Sequence, residues 1–415
     1  MIIFFVGLAV YAGHGISVLY LLAMTLLSYL AGLVIPKYRF VMWVSVILQA
    51  SLLLLLRLRH LLPFPSPAAP IGISYFTLQI IAYHVDLYRG NYAPEKNIFK
   101  FALFVTWLPH MFIGPIEPYP KMKDALNERR ISVDSFWKGA LRSLWGLFQK
   151  LVIAARLDVI VSAVSADPER YNGAYALTAM LFYAVQLYAD FSGGIDIVLG
   201  VSRMLGLRMS ENFDIPYFSE SVSEFWRRWH MTLGDWLRDY IYIPLGGSRK
   251  GKLHKFFNTM VTFLVSGIWH GGRYLLWGLL HGLLVFYGDN LKTKNRAWNR
   301  VVTFLLVSFL WSFFIWPDTV VVLRMMASVF TVFNYPILLA GISGMGLTVG
   351  DWIVLGAACL LLLFYDWKRE DVKARLCIIP PAAKVGGICL LTLTVLTFGR
   401  YGIGFSASEF IYSSF

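Results

Sequence analysis

Glu224-Phe225-Trp226-Arg227-Arg228-Trp229-His230, followed by Asp235-Trp236-Leu237-Arg238-Asp239-Tyr240, is a run that a lipid-facing helix does not carry. It lies within 210–247, where Glu211, Asp214, Glu220, Glu224, Arg227, Arg228, His230, Asp235, Arg238 and Asp239 are interleaved with large aromatics. The chain around it has the opposite character. Of 415 residues, 58% are hydrophobic and 15% charged, and the mean hydropathy is +0.62. A soluble domain is typically about 45–50% apolar and about 25% charged, so a soluble multidomain enzyme is excluded and a polytopic membrane protein remains. A central Asp or Arg costs roughly 2.5–3.5 kcal/mol to insert. Segment 210–247 is therefore expected to be buried in protein or to line a wet cavity.

Working outward, apolar runs long enough to cross a bilayer, which takes about 20 helical residues, are expected at 16–35, 40–58, 98–114, 136–156, 174–191, 254–270, 272–290, 299–316, 350–366 and 385–400. The stretch 2–12 spans, lies flat or joins its neighbour. The expectation is an all-α protein of about eleven transmembrane helices plus re-entrant and interfacial segments. One domain covers 1–415, its motif-bearing core at about 70–290 and its tail at 401–415. Met1 to Val10 is apolar without a basic start, so no cleavable signal is expected. Cys359, Cys377 and Cys389 are odd in number and lack metal or redox spacing, which fits small buried hydrophobes.

The net charge is +13. Its cations cluster between apolar runs: Lys37 and Arg39, Arg57 and Arg59, Lys121 to Arg130, Arg249 to Lys255, Lys292 to Arg300, Lys368 to Arg375. That pattern matches the positive-inside rule, and no recognition motif accompanies it, so nucleic acid is not an expected partner. Loops 249–255 and 292–300 are assigned to the cytoplasm, and 319–333, with Arg324, to the outer surface. The span 385–400 then leaves the carboxyl terminus outside.

Within the polar stretch, helical spacing would let Arg227 pair with Glu224 and Arg238 with Asp235, and would set Trp226 over His230. Local pairing makes a self-neutralised scaffold one reading of these charges; a functional site is the other. His270, in Ser266-Gly267-Ile268-Trp269-His270-Gly271-Gly272, ends an apolar run with no charge between Lys255 and Arg273. A neutral imidazole there can exchange a proton near neutrality or serve only as an interhelical hydrogen-bonder. His281 is assigned to packing. Asp190-Phe191-Ser192-Gly193-Gly194 either lines a tunnel or breaks a helix. No phosphate-binding loop, nucleophile elbow or zinc pair occurs, and no metal is expected.

Several ordered runs together resemble the membrane-bound O-acyltransferase superfamily, in its bacterial branch of alginate and peptidoglycan O-acetyltransferases and the teichoic-acid D-alanyl transfer protein. They are Pro70-Ile71-Gly72-Ile73-Ser74-Tyr75-Phe76-Thr77 with Asp86-Leu87-Tyr88-Arg89-Gly90; Gly114-Pro115-Ile116; Asp190-Phe191-Ser192-Gly193; Glu211-Asn212-Phe213 with Pro216-Tyr217; Phe225 to Tyr240; Tyr242 to Gly247; and Trp269-His270-Gly271. The resemblance implies a ring of helices around a tunnel, with an acyl donor entering from the cytoplasm and an acceptor from outside. It makes His270 the catalytic histidine and places the second family position, Asn or His, on His230. Trp226, Arg227, Arg228, Trp229, Asp235, Trp236, Arg238, Asp239, Asp190, Ser192 and Trp269 would line the substrate path.

Acyl transfer needs a base for the hydroxyl and a donor for the oxyanion. His270 is the expected base, and His230 orients the thioester or donates a hydrogen bond. Arg249, Lys250 and Lys252 form a basic rim suited to acetyl-coenzyme A or an acyl carrier protein, although topology signalling also accounts for such a rim. Phe410-Ile411-Tyr412-Ser413-Ser414-Phe415 resembles an ending shared by many relatives, which implies that Tyr412 relays the acyl group as a phenolic ester. The expected function is transfer of an acyl group, acetyl first, across the bacterial cytoplasmic membrane to an envelope polysaccharide. An esterase-like SGNH transferase outside is the expected partner. D-alanyl transfer toward teichoic acid is the near alternative, and a transporter or channel whose buried charges form a pathway is the distant one.

Overall fold

The computed structural model describes residues 16–57, 72–107, 113–316, 318–343, 345–372 and 380–401. Among these the chain is helical, with a single isolated antiparallel bridge, Phe213 to Trp229, in place of any sheet. The helices are α1 (Ile16–Val34), α2 (Phe40–Arg57), α3 (Ile73–Arg89), α4 (Ile98–Val105), α5 (Tyr119–Asn127), α6 (Val133–Phe148), α7 (Ala155–Ala166), α8 (Ala174–Met204) and α9 (Val222–Arg228). There follow α10 (Met231–Leu237), α11 (Lys252–His270), α12 (Leu275–Tyr287), α13 (Arg296–Leu310), α14 (Ser312–Ile315), α15 (Thr319–Thr331), α16 (Leu338–Ser343), α17 (Val349–Trp367) and α18 (Pro381–Phe398).

Among the described residues, four helical stretches are long and apolar enough to cross a membrane: Phe40–Arg57, Ala174–Met204, Arg296–Ile315 and Val349–Trp367. Shorter apolar helices cover Val18–Val34, Thr319–Thr331 and Ala382–Phe398. Large apolar side chains stay exposed along several of them, including Leu19, Trp43, Ile47, Leu360 and Leu390, as a surface that meets lipid requires. The expected span at 98–114 is different. Its described helix, α4, has eight residues, about 12 Å at 1.5 Å per residue, because the chain leaves the helix at Thr106. The expected span at 272–290 is also shorter, since Gly272–Tyr274 is a tight 3-10 turn and α12 begins only at Leu275.

The chain divides into two compact units, and each is assembled from three separate segments. The first comprises residues 1–132, 205–211 and 231–278. Its core is aromatic: Phe76, Tyr83, Phe101, Phe104, Trp107 and Tyr119 are almost fully buried together. Helix α3 is bounded by glycines at φ 75° (Gly72) and 76° (Gly90), left-handed conformations that glycine adopts without strain. His84 on α3 is fully buried. Its Nε2 lies 2.9 Å from the Ser28 carbonyl on α1 and its Nδ1 2.9 Å from Ser45 Oγ on α2, so one ring ties three helices.

The second unit comprises 133–204, 212–230 and 279–415. Its axis is the pairing of α6 with α8. A Cβ added to Gly146 would stand 2.3 Å from the Gly193 carbonyl oxygen, and one on Gly139 would stand 2.5 Å from that of Gly200. Both pairs recur after seven residues, so the two backbones touch along a stripe of small residues, as membrane helices commonly do. Between α6 and α7 the helix widens into a π segment, Gln149–Ala154. Arg142 on α6, and Gln149 and Lys150 on the π segment, point toward α8. Arg142 Nε donates to Asp196 at 2.8 Å, Gln149 Nε2 to Asp196 at 3.0 Å, and Lys150 pairs with Asp190.

Those pairs overturn one of the two expectations for Asp190 to Gly194. Helix α8 runs unbroken through this stretch to Met204. Gly193 is there for close helix contact, not for a break, and the carboxylates are neutralised by cations on the facing segment. Ser192 Oγ lies 2.8 Å from Gln149 Oε1 and 2.6 Å from the Tyr188 carbonyl. At the far side of α8, Tyr188 donates to Asp366 of α17 at 2.8 Å.

Candidate functional site

The polar stretch 210–247 is divided between the units: 212–230 belongs to the second, and 210–211 and 231–247 to the first.

In the second unit, Ser221 caps α9 by accepting from the Glu224 N–H at 3.2 Å. The helix stops after Arg228. Trp229 is extended, and its bridge with Phe213 is secured by the Asp214 N–H donating to the Arg228 carbonyl at 2.9 Å. His230 then adopts φ +46°, a left-handed conformation rare outside glycine, with Asn, Asp and His its commonest exceptions. The expected helical stacking of Trp226 over His230 therefore does not occur, because the register ends between them. Trp226 Nε1 instead donates to His281 Nδ1 at 3.1 Å. The expected Glu224–Arg227 pair is also replaced: Glu224 holds Arg228 at 2.7 Å, and Arg227 donates to Ser223 at 3.1 Å. The i,i+4 spacing aligns the longer reach better in this short helix.

His230 is buried to 1% exposure, with the Phe191 ring edge-on to it at 4.9 Å. Its Nδ1 lies 3.2 Å from Asn212 Oδ1. With Asn212 as acceptor, Nδ1 carries the proton and Nε2 the lone pair. Burial pushes the imidazole down to about 3, so the ring is neutral. Around it Phe213, Phe225, Trp229 and Trp311 form a continuous aromatic body, with Trp229 fully buried.

In the first unit, α11 ends on His270, and Gly271 at φ 126° turns the chain out of the helix. His270 is 4% exposed. Trp269, Trp277 and Tyr274 surround its ring at centroid distances of 4.6, 5.4 and 6.2 Å, all near perpendicular. The bend after His270 is tight. A Cβ on Gly267 would meet the Tyr274 carbonyl at 2.6 Å, and one on Gly278 the Phe263 carbonyl at 2.4 Å. The sequence reading missed three neighbours of this box. Tyr75 stands edge-on to Trp269 at 6.5 Å, and the Arg57 guanidinium lies 5.7 Å from the same ring while donating to Ser74. Ser74 and Tyr75 lie in a quoted motif, and Arg57 is a cation at the end of an apolar helix, which was the available signal.

The other first-unit residues serve a different place. Asp235, Trp236 and Asp239 line a recess of about 280 Å³ with Glu117, Lys121 and Tyr240. Trp236 Nε1 donates to the Leu78 carbonyl at 2.8 Å, Tyr240 to Asp86 at 2.8 Å, and Arg89 to the Asp239 carbonyl at 3.1 Å. These contacts fix α10 and the turn after it against α3. Glu117 accepts from Ser210 N and Oγ at 2.9 and 2.8 Å, and burial pushes its carboxyl up from the usual range. Arg238 pairs with Asp235 at 2.6 Å as expected, and with Asp239 at 2.7 Å. All three are well exposed, where such pairs are worth little. Arg249, Lys250 and Lys252 are exposed. Tyr412 lies outside the described residues.

The membrane-bound O-acyltransferase family model matches residues 40–326. The chain belongs to that family. It is 40% identical over 269 residues to a probable alginate O-acetylase AlgI of Pseudomonas fluorescens, covering 63% of this chain and 54% of that protein. To the peptidoglycan O-acetyltransferase of Helicobacter pylori it is 33% identical over 289 residues, covering 59% and 54%. A teichoic acid D-alanyltransferase of Bacillus subtilis is 26% identical over 326 residues, covering 71% and 82%. The matched part thus spans about half the length of the alginate and peptidoglycan relatives.

Proposed function

We propose that this protein moves an acyl group, acetyl in the first instance, from a thioester donor to a hydroxyl of an extracytoplasmic envelope polysaccharide. The observation that carries this reading is His270 within the family region: a buried imidazole closing an apolar helix, boxed by Trp269, Tyr274 and Trp277. A ring so enclosed is kept from bulk water, which would otherwise hydrolyse an activated acyl group. It lies at the carbonyl end of α11, where the helix dipole favours the positive charge that forms when the base takes a proton. His270 removes the acceptor's hydroxyl proton and returns it to the departing thiolate. His230, neutral with its lone pair at Nε2, positions a substrate by accepting a hydrogen bond; a role as donor at that nitrogen would need the other tautomer.

The rest of the reading follows the family. One acyltransferase domain over 1–415 crosses the bacterial cytoplasmic membrane about eleven times. The donor is acetyl-coenzyme A or an acyl carrier thioester approaching by Arg249, Lys250 and Lys252. Tyr412, on an extracytoplasmic carboxyl terminus, relays the acyl group to an SGNH-type partner. D-alanyl transfer is the second reading, supported by the similarity to a teichoic acid D-alanyltransferase.

Membranes fed labelled acetyl-coenzyme A or labelled D-alanyl carrier decide the donor. His270→Ala is expected to lower transfer by roughly 10²–10⁴-fold at unchanged protein abundance. Transfer near the wild-type rate would remove His270 from the mechanism. Tyr412→Phe is expected to abolish an acylated intermediate seen by mass spectrometry.

A further inference from the structure

A second recess lies wholly within the second unit. It encloses about 240 Å³, and its walls include Arg228, Arg296, Arg300, Glu220, Glu224 and Trp367. Three guanidiniums thus meet two carboxylates. Glu224 Oε1 is held by Arg228 at 2.7 Å, and its Oε2 accepts from the Glu220 N–H at 2.9 Å. Glu220 Oε1 is taken by Arg296 at 2.6 Å. Arg300 is left 3.6 Å from that same oxygen, beyond hydrogen-bond reach. Its Nε is buried and has no acceptor among the described residues. Both carboxylates are held at close range by other arginines, so among the described residues Arg300 lines the recess with only its 3.6 Å ion pair to Glu220.

The position along the chain is equally specific. Arg296 and Arg300 are one turn apart at the start of α13, and Trp367 is the last residue of α17. Both helices belong to stretches long and apolar enough to cross a membrane, so the recess sits where apolar helix gives way to polar chain. Trp367 is 66% exposed there, as interfacial tryptophans are. A planar guanidinium fork matches a tetrahedral oxyanion better than it matches water.

We propose that this recess binds a phosphate ester, with Arg300 supplying the fork, Arg296 and Arg228 flanking it, and Trp367 covering the organic part of the ester. The phosphate comes either from an anionic lipid headgroup or from a soluble phosphorylated carrier. The proposal does not depend on the acyl-transfer reading.

The test uses the full chain in detergent, as wild type, R300Q and R300K. One arm measures retention of phosphatidylglycerol against a galactosyl diacylglycerol by native mass spectrometry. The other titrates coenzyme A against pantetheine, which lacks phosphate. Loss of the fork is expected to weaken the phosphate-bearing probe about 10-fold or more in R300Q, as charge-assisted hydrogen bonds are worth. R300K, which keeps the charge, should fall between R300Q and wild type. An effect confined to the first arm identifies lipid as the source, and one confined to the second identifies a soluble carrier. Should R300Q fail to fold, as judged by thermal unfolding, R300K is read in its place. Equal binding by wild type and the folded variant in both arms overturns the proposal.

Discussion

Replacing Gly146 by alanine should destabilise the second unit, even though alanine favours helix. The added Cβ would lie 2.3 Å from the Gly193 carbonyl oxygen and 2.9 Å from both Ile197 N and Cγ1. Two of these three atoms are backbone, so no side-chain rotation relieves the contact, and α6 must move from α8 by roughly 1 Å to reach ordinary contact at about 3.4 Å. Overpacking of this kind costs about 1–3 kcal/mol, and the helix propensity of alanine returns up to about 1 kcal/mol. With no rotamer to relieve the contact, the cost falls at the upper end of that range, about 2–3 kcal/mol, and the net expected loss is about 1–2 kcal/mol. Gly139→Ala meets the same partner helix, one stripe position away. Once the helices have separated for one methyl, the second is accommodated at less cost, so the double variant should lose less than the sum of the singles. Gly356→Ala on α17, with nothing within 4 Å of its added carbon, is the control and should be neutral or slightly stabilising. Denaturant unfolding in a fixed detergent compares the four variants with the wild type. Wild-type stability for Gly146→Ala, or a cost equal to that of Gly356→Ala, would refute close backbone packing of α6 on α8.

Other outcomes follow from the same geometry. Trp226→Phe leaves the buried His281 Nδ1 without its donor and should cost about 1–3 kcal/mol, whereas Arg227→Gln, which loses a bond to Ser223 and an attraction to Asp289, should cost well under 1 kcal/mol; unfolding midpoints compare them. Because burial lowers His230 from its usual value to about 3, the unfolded chain binds the extra proton first. Its contribution to stability is thus complete above about pH 6.5 and declines as the pH falls toward 3. His230→Gln should flatten that acid loss, and an unchanged slope would show that the ring is not held neutral. Asn212→Asp, which sets a carboxylate beside Nδ1, should raise the imidazole and add an acid-side inflection to the pH profile of transfer beyond the one that His270 as base already gives.

Much of this could be read from the residues, and what could not has physical causes. The long apolar runs became α2, α8, α13 and α17 because nothing in them competes with helix. The Trp-His-Gly motif ended its helix at the residue expected, since Gly271 takes a φ that no side chain favours. The Asp235–Arg238 pair followed from spacing alone. Spacing failed where the helix itself was shorter than assumed: Trp226 and His230 are four residues apart in sequence, but the helix ends between them. It failed again at Gly193 and Gly194, where the same residue type signals either a break or close approach, and only the facing helix decides. The partners of Asp190, Ser192 and Asp196 lie 40 to 54 residues away on α6 and the π segment, a long-range match that no local pattern encodes. Arg57 reached the His270 box in the same way, from a helix more than 200 residues earlier.

The backbone twist at His230 constrains what evolution or an engineer can place there. A side chain at φ +46° is tolerated readily only when it is short, planar and polar, or absent. Branched aliphatic and bulky residues are rejected by conformation before any question of chemistry arises. The choice of Asn or His that the family resemblance attaches to this position is then limited first by the left-handed backbone that follows α9. A library randomised at codon 230 should therefore yield folded protein for a handful of residues, and active protein for a subset of those.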